Sequence, residues 1–180
     1  MSLPSQLEQT RPGAREALDD SPPPAADAFA APARDFDDAR PLAPARWDWG
    51  EVRRVLVVRL RSVGDTVLAT PALQALRRFL PHARLDVLLE DWVAPVLEGS
   101  TDVDRVVTVP RSDTRARLRV ARELRRERYD VAFNLHGGST STLLTRASGA
   151  KRRVGYASYR YSVLLTDAAP HPSALWRREK

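Results

Sequence analysis

The stretch from Val55 to Pro81, VLVVRLRSVGDTVLATPALQALRRFLP, constrains the fold more than any other part of this chain. Four consecutive apolar residues, Val55 to Val58, three of them β-branched, read as a strand covered on both faces, the pattern of a parallel sheet. A tight turn with Gly64 and Asp65 follows, and glycine relaxes the backbone there by permitting conformations closed to other residues. Beyond it Val67, Leu68, Leu73, Leu76 and Leu80 recur at roughly helical spacing, with Arg77 and Arg78 in the last turns, where cations suit the helix dipole. Pro71 interrupts this pattern: either Thr70 caps a helix that begins at Pro71, or a longer helix from near Asp65 kinks there. Both readings place Asp65 beside a helix N-terminus at the carboxyl end of a strand. In open α/β sheets ligands bind at that edge.

The same reasoning predicts strands at about 53–60, 84–90, 105–109 and 129–135, with a short one near Arg153. Helices are expected at 66–80, 92–98, 112–128 and 139–147. In the Arg-rich helix at 112–128, Leu118, Ala121 and Leu124 mark a narrow buried stripe. Alternation of strands and helices implies an α/β, doubly wound parallel sheet with right-handed crossovers.

Composition separates the two ends of the chain. Eight of the fourteen prolines precede Trp47, among Ala and Asp with little periodicity, so residues 1–50 read as a disordered tail and 51–180 as the folded domain. Ten acidic residues and five arginines give residues 1–51 a net charge of −5; the whole chain carries +6, which leaves +11 for the remainder. A cationic domain behind an acidic tail suits an anionic partner: nucleic acid, acidic lipid or a phosphorylated sugar. There are no cysteines, and the three histidines lack ligand spacing, so neither disulfide nor structural metal is expected. No secretory leader pattern and no run of about 18 apolar residues is present, which predicts a cytoplasmic protein that meets a membrane only at its surface.

Arg59, Ser62, Gly64, Asp65, Thr70, Pro71, Ala72 and Leu73 reproduce, in order, the opening motif of the glycosyltransferase family 9 proteins, the lipopolysaccharide heptosyltransferases. The resemblance continues through Val103–Pro110, YDVAFNLHG at 129–137 and ASGAKRRVG at 147–155, and spans roughly Val52 to His171. It implies a Rossmann-like sheet forming the N-terminal, acceptor-side half of a GT-B-type glycosyltransferase. It also implies a second, donor-binding domain that this chain has no room for, so that a truncated form, inactive alone, is expected.

Taken bare, Asp65 is a helix-capping carboxylate. The resemblance makes it the general base, collecting a proton from a sugar hydroxyl as that oxygen attacks the anomeric carbon of the donor. The implied donor is a nucleotide sugar, ADP-heptose, used as substrate with no cofactor and no metal; the implied acceptor is the acidic glycolipid of the lipid A inner core. Ser62 and Gly64 would line the same turn. Arg111 and Arg115 lie near a strand's carboxyl end, where acceptor phosphates are bound in the family. Gly137, in NLHGGS at 134–139, offers backbone amides to an anion or sugar hydroxyl. The other arginines of 112–128 read as a solvated face, and His136 as a satisfied loop histidine. Two further classes stand beside this one: a binding or regulatory half-protein for acidic glycolipid or a partner chain carrying the missing domain, and a nucleic-acid-binding domain. The last is disfavoured because the few aromatics are not interleaved with basic residues.

Overall fold

A computed structural model describes residues 47–170. Six strands, β1 (Arg54–Val58), β2 (Arg84–Glu90), β3 (Arg105–Val109), β4 (Val131–Asn134), β5 (Arg152–Tyr156) and β6 (Asp167–Ala169), form one sheet in the order β3-β2-β1-β4-β5-β6. Every pairing is parallel, with Val55 opposite both Leu85 and Val131. Three α-helices, α1 (Val63–Phe79), α2 (Thr114–Arg126) and α3 (Ser139–Ala147), and two 3-10 segments, Asp91–Leu97 and Ser162–Leu164, make the crossovers.

The four-residue apolar run of β1 is buried on both sides because alternate residues enter different cores. Val55 and Val57 pack with Leu73 and Leu80 of α1 and with Val93 and Leu97. Leu56 and Val58 pack with Val120 and Leu124 of α2 and Leu144 of α3. The strand order reverses between β1 and β4, so the crevice outside their carboxyl ends is the switch point of the sheet. The α/β, Rossmann-like class expected from the sequence is therefore the one observed.

Several local expectations are corrected. Of the two readings at Pro71, the helix starting at Pro71 is ruled out and the longer one is observed: α1 runs from Val63 to Phe79 with Pro71 inside it. A proline at this position deprives the Val67 carbonyl of its donor four residues on, and the Thr70 hydroxyl donates to that carbonyl instead, at 2.8 Å. Val67 and Leu68 are exposed, whereas Thr66 is buried, because the first turns of α1 project past the sheet edge. Leu118 is likewise exposed; the inward stripe of α2 is Ala116, Val120 and Leu124. The strand β6 was not anticipated. Of the segment assigned to the tail, residues 1–46 lie outside the described residues, as do residues 171–180. Trp47 and Trp49, by contrast, pack against the first core, and Trp49 stacks on Phe133 with ring centroids 6.4 Å apart.

Polar anchors secure the edge opposite the switch point. Asp130 accepts from the backbone N–H groups of Arg53 and Arg54, at 3.0 and 3.1 Å, and from Lys151. Burial opposes its charge, but these three donors prevail and hold the carboxyl below its ordinary range. Asp86, fully buried in β2, accepts from the Tyr129 hydroxyl at 2.7 Å and from Arg84 at 2.9 Å. Among the described residues no helix is long and apolar enough to cross a membrane.

Candidate active site

The chain leaves β1 at Val58 and enters α1 at Val63, and Ser62 makes the corner with φ 73° and ψ 119°. Positive φ is costly for a residue with a Cβ and persists only where the surroundings over-determine it. Here they do. The Ser62 hydroxyl oxygen accepts from the Asp65 N–H at 3.3 Å, and the Ser62 carbonyl accepts both the N–H and the hydroxyl of buried Thr66, at 3.0 and 2.9 Å. Ser62 is thus the helix N-cap, the role a bare reading gave to Asp65. Gly64 is not the residue that turns the corner either: it lies within the first turn of α1. A Cβ there would find only the Ser62 hydroxyl, 3.9 Å away, so the protein leaves open space over this backbone.

With capping assigned to Ser62, the Asp65 carboxylate is free for another use. It is about half exposed and forms an ion pair with Arg59, whose side chain is 14% exposed. The other terminal nitrogen of Arg59 donates to the Leu135 carbonyl at 2.6 Å. One guanidinium thereby joins the loop after β1 to the loop after β4, across the switch point, and fixes the carboxylate between them. Asp65 Oδ1 accepts no hydrogen bond from any described residue.

The β4 loop is built by Asn134, 1% exposed. Its amide donates to Thr142 at 3.1 Å, and its oxygen accepts from the N–H groups of His136 and Gly137 at 3.1 and 3.2 Å. Gly137 has φ 76°, and a Cβ on it would stand 2.5 Å from the Tyr159 ring. Close packing of Tyr159 therefore requires this glycine, and its N–H is already used within the loop. His136 follows the edge: Nδ1 is buried with no hydrogen-bond partner, unlike the satisfied loop histidine expected. Burial, then the charges of Arg59 and Arg61, hold the imidazole below its ordinary pKa against the smaller pull of Glu90 and Asp65.

Glu90, at the carboxyl end of β2, completes the cluster. It is 3% exposed, accepts from the Trp92 indole at 2.9 Å and pairs with Arg61 at 3.3 Å. Sequence reasoning gave roles to neither Glu90 nor Arg59. A visible signal existed for Glu90, since a carboxylate directly after the apolar run Val87–Leu89, at the ligand edge, has no packing reason to be there. Arg59 makes its contact 76 residues away in the chain.

Ser62, Gly64, Asp65 and Gly137 are thus brought to one edge. Arg111 and Arg115 share that edge but sit after β3, which β2 separates from β1, about 10 Å in the hydrogen-bonding direction. Arg111 lends its carbonyl to Arg117, and neither guanidinium bonds to the Asp65 cluster. Among the described residues no group of three or more His, Cys, Asp or Glu is placed to hold a metal ion.

Comparison with known proteins likens the chain to one group. No family model matches the chain. Lipopolysaccharide heptosyltransferase 2 of Salmonella typhimurium is 26% identical over 127 residues, 68% of this chain and 36% of that protein. Lipooligosaccharide heptosyltransferase 2 of Haemophilus ducreyi is 26% identical over 118 residues, 63% of this chain and 34% of that protein. The solved structure of the ADP-heptose LPS heptosyltransferase II of E. coli superposes with a TM-score of 0.59 at 25% identity, covering 67% of this chain and 36% of that one. A glycosyl transferase family 9 protein from Veillonella parvula shares the fold at 24% identity and a TM-score of 0.61, over 65% of this chain and 36% of that one. The chain spans about a third of the length of the curated relatives it matches. In sequence and in fold, the chain is thus similar to the lipopolysaccharide heptosyltransferases and to a glycosyl transferase family 9 protein, over about a third of their length.

Proposed function

We propose that this domain is the acceptor side of an inverting sugar transferase in lipopolysaccharide core assembly, with Asp65 as its general base. The observation that carries this reading is the Asp65 carboxylate, freed from capping by Ser62, half exposed at the switch point and oriented by Arg59. An acceptor hydroxyl on the lipid A inner core attacks the anomeric carbon of a nucleotide sugar, ADP-heptose. As that C–O bond forms, the bond to the diphosphate breaks, the nucleoside diphosphate leaves with the electron pair, and the hydroxyl proton passes to Asp65. A base at this position contributes about 10² to 10⁴ in rate. One displacement from the face opposite the nucleotide inverts the anomeric centre.

Arg59 needs no metal to hold the base in place. Open space over the Gly64 backbone and the Ser62 hydroxyl admit the sugar, while Arg111 and Arg115, farther along the edge, meet acceptor phosphates with charge-assisted contacts of about 1.5 to 3 kcal/mol each. Stabilisation of the departing diphosphate, usually the largest electrostatic contribution, belongs to groups outside the stretch that matches the relatives, in a donor-binding domain or a partner chain. The site of action is the cytoplasmic face of the membrane that carries the acceptor. The supporting comparison is with relatives that are lipopolysaccharide and lipooligosaccharide heptosyltransferases.

The test is the anomeric configuration of the product formed by the whole protein from ADP-heptose and an inner-core acceptor, read by NMR. Inversion supports the single displacement; retention, whether by a double displacement or by attack on the face the diphosphate leaves, would refute it.

A further inference from the structure

The outer face of α2 and α3 has a composition that neither the core nor the candidate site explains. With about 100° between successive residues, Arg119, Arg122, Arg125 and Arg126 fall within roughly a third of the circumference of α2, and all four are exposed. They extend over about 10 Å of helix. Glu123, the acidic residue of α2, and Glu127, its C-cap, are turned aside. Glu123 pairs with Arg105, and Glu127 pairs with Arg105, Arg84 and Arg54, all three on the strands. Asp113, at the helix start, spends its carboxylate on the Ala116 N–H. None of the four arginines has a carboxylate within ion-pair distance among the described residues, and Arg122, Arg125, Arg126 and Arg128 line a shallow open depression.

Leucines share this face. Leu118, on the same arc as the arginines, is 52% exposed, and Leu143 of the adjacent α3 is also 52% exposed, one turn from exposed Arg146. α3 has no acidic residue at all. Both helices lie on the same side of the sheet and begin at the edge that carries Asp65.

We infer that the α2–α3 face is a docking surface for an anionic lipid bilayer, with the arginines on the headgroup phosphates and Leu118 and Leu143 entering the interface. Charge complementarity selects an anionic occupant. The exposed leucines select lipid over nucleic acid, because a helix with a basic face and exposed apolar side chains is suited to the headgroup boundary. A single-stranded nucleic acid would call for aromatic stacking groups, and no aromatic residue occurs in α2 or α3. The inference stands independently of the transfer reading. If both hold, the bilayer meets the domain beside the edge where a lipid-borne acceptor must arrive.

The experiment is sedimentation of the full chain with phosphatidylcholine vesicles with and without phosphatidylglycerol, free of any glycolipid. The wild type is compared with Arg119→Gln/Arg122→Gln/Arg126→Gln and with Asp65→Asn. The side chains of these arginines make no bond among the described residues, so circular dichroism of the triple variant should match wild type. Each basic residue near an anionic surface strengthens binding roughly fivefold, so the triple variant should bind the anionic vesicles roughly 100-fold more weakly. Asp65→Asn should bind as wild type, which separates this surface from the candidate active site. Equal binding to neutral and anionic vesicles, wild-type affinity in the triple variant, or displacement by duplex DNA at equal phosphate with no loss on Leu118→Ser would each overturn the inference.

Discussion

Replacing Arg59 with Met, and Asp65 with Asn, alone and together, separates what holds the switch point from what reacts there. Arg59 donates to the Leu135 carbonyl at 2.6 Å from a side chain only 14% exposed. Losing that charge-assisted bond and leaving a partly buried carbonyl unpaired costs about 1.5 to 3 kcal/mol. The ion pair with Asp65 adds little, since a half-exposed carboxylate is screened and such pairs are worth about 0 to 1 kcal/mol. Arg59→Met should therefore destabilise by about 2 to 3 kcal/mol. With a urea slope of about 2 kcal/mol per molar, the midpoint moves down by about 1 to 1.5 M at unchanged slope. Asp65→Asn should cost under about 1 kcal/mol, because Ser62 and not Asp65 caps the helix, and the coupling energy in the cycle should also stay below about 1 kcal/mol. The assay is equilibrium urea unfolding of the four proteins, followed by circular dichroism. An Asp65→Asn cost above about 2 kcal/mol would show that the carboxylate serves the fold, and the freedom inferred for it would be refuted. A loss below about 0.5 kcal/mol in Arg59→Met would refute the bridge between the loops.

Gly64→Ala meets nothing closer than 3.9 Å and gains helix propensity, so stability should hold or rise by up to about 1 kcal/mol; acceptor affinity by calorimetry should nevertheless fall, and unchanged affinity would mean that no ligand uses the space over this backbone. Tyr129→Phe removes a buried bond to Asp86 and should cost about 1.5 to 3 kcal/mol in urea unfolding. Burial, then Asp86, push the Tyr129 pKa upward in the fold; the folded state keeps its proton where the unfolded chain loses it, so wild-type stability should decline above pH 10 by about 1.4 kcal/mol per pH unit, a decline that Tyr129→Phe should lack. The imidazole of His136 is shifted the other way, by burial and then Arg59 and Arg61. Its contribution is present above the unfolded value of about 6.5 and lost as pH falls through the lower folded one, so its NMR titration should have a midpoint below 6.5. Alanine at both Arg111 and Arg115 should weaken binding of a phosphorylated inner-core saccharide and flatten its salt dependence; an unchanged profile would remove them from the acceptor site.

Much of this architecture is legible in the chain because one physical pattern dominates it. Val55–Val58 must be buried on both faces, which forces a parallel sheet, which in turn places the Gly64–Asp65 turn at the ligand edge. The limits of β2 and β3 and of α3 follow from clean apolar runs and from the glycine pair before Ser139. Periodicity fails where the spacing only approximates a helical face. Val67 and Leu68, six and five residues before buried Leu73, point into solvent, and Leu118, six residues and about 240° of helix from Leu124, faces outward between buried Ala116 and Val120. Strand β6, with only Asp167, Ala168 and Ala169, has no apolar signature and exists through its pairing with β5. At the site, Asp65 was visible as a candidate, but its partner was not. The exchange of capping from Asp65 to Ser62 depends on a φ of 73° that no residue preference announces for serine. The bridge by Arg59 and the buried carboxylate of Glu90 are contacts between segments far apart in sequence, and only the closed sheet brings them together.

The most direct test of the central claim is the single-turnover rate of sugar transfer by the whole protein, wild type against Asp65→Asn, with ADP-heptose and an inner-core acceptor at saturating concentrations. The account predicts a fall of at least about 100-fold with acceptor affinity and unfolding midpoint essentially unchanged. Undiminished transfer by Asp65→Asn would contradict it and assign the carboxylate at the switch point to some purpose other than catalysis.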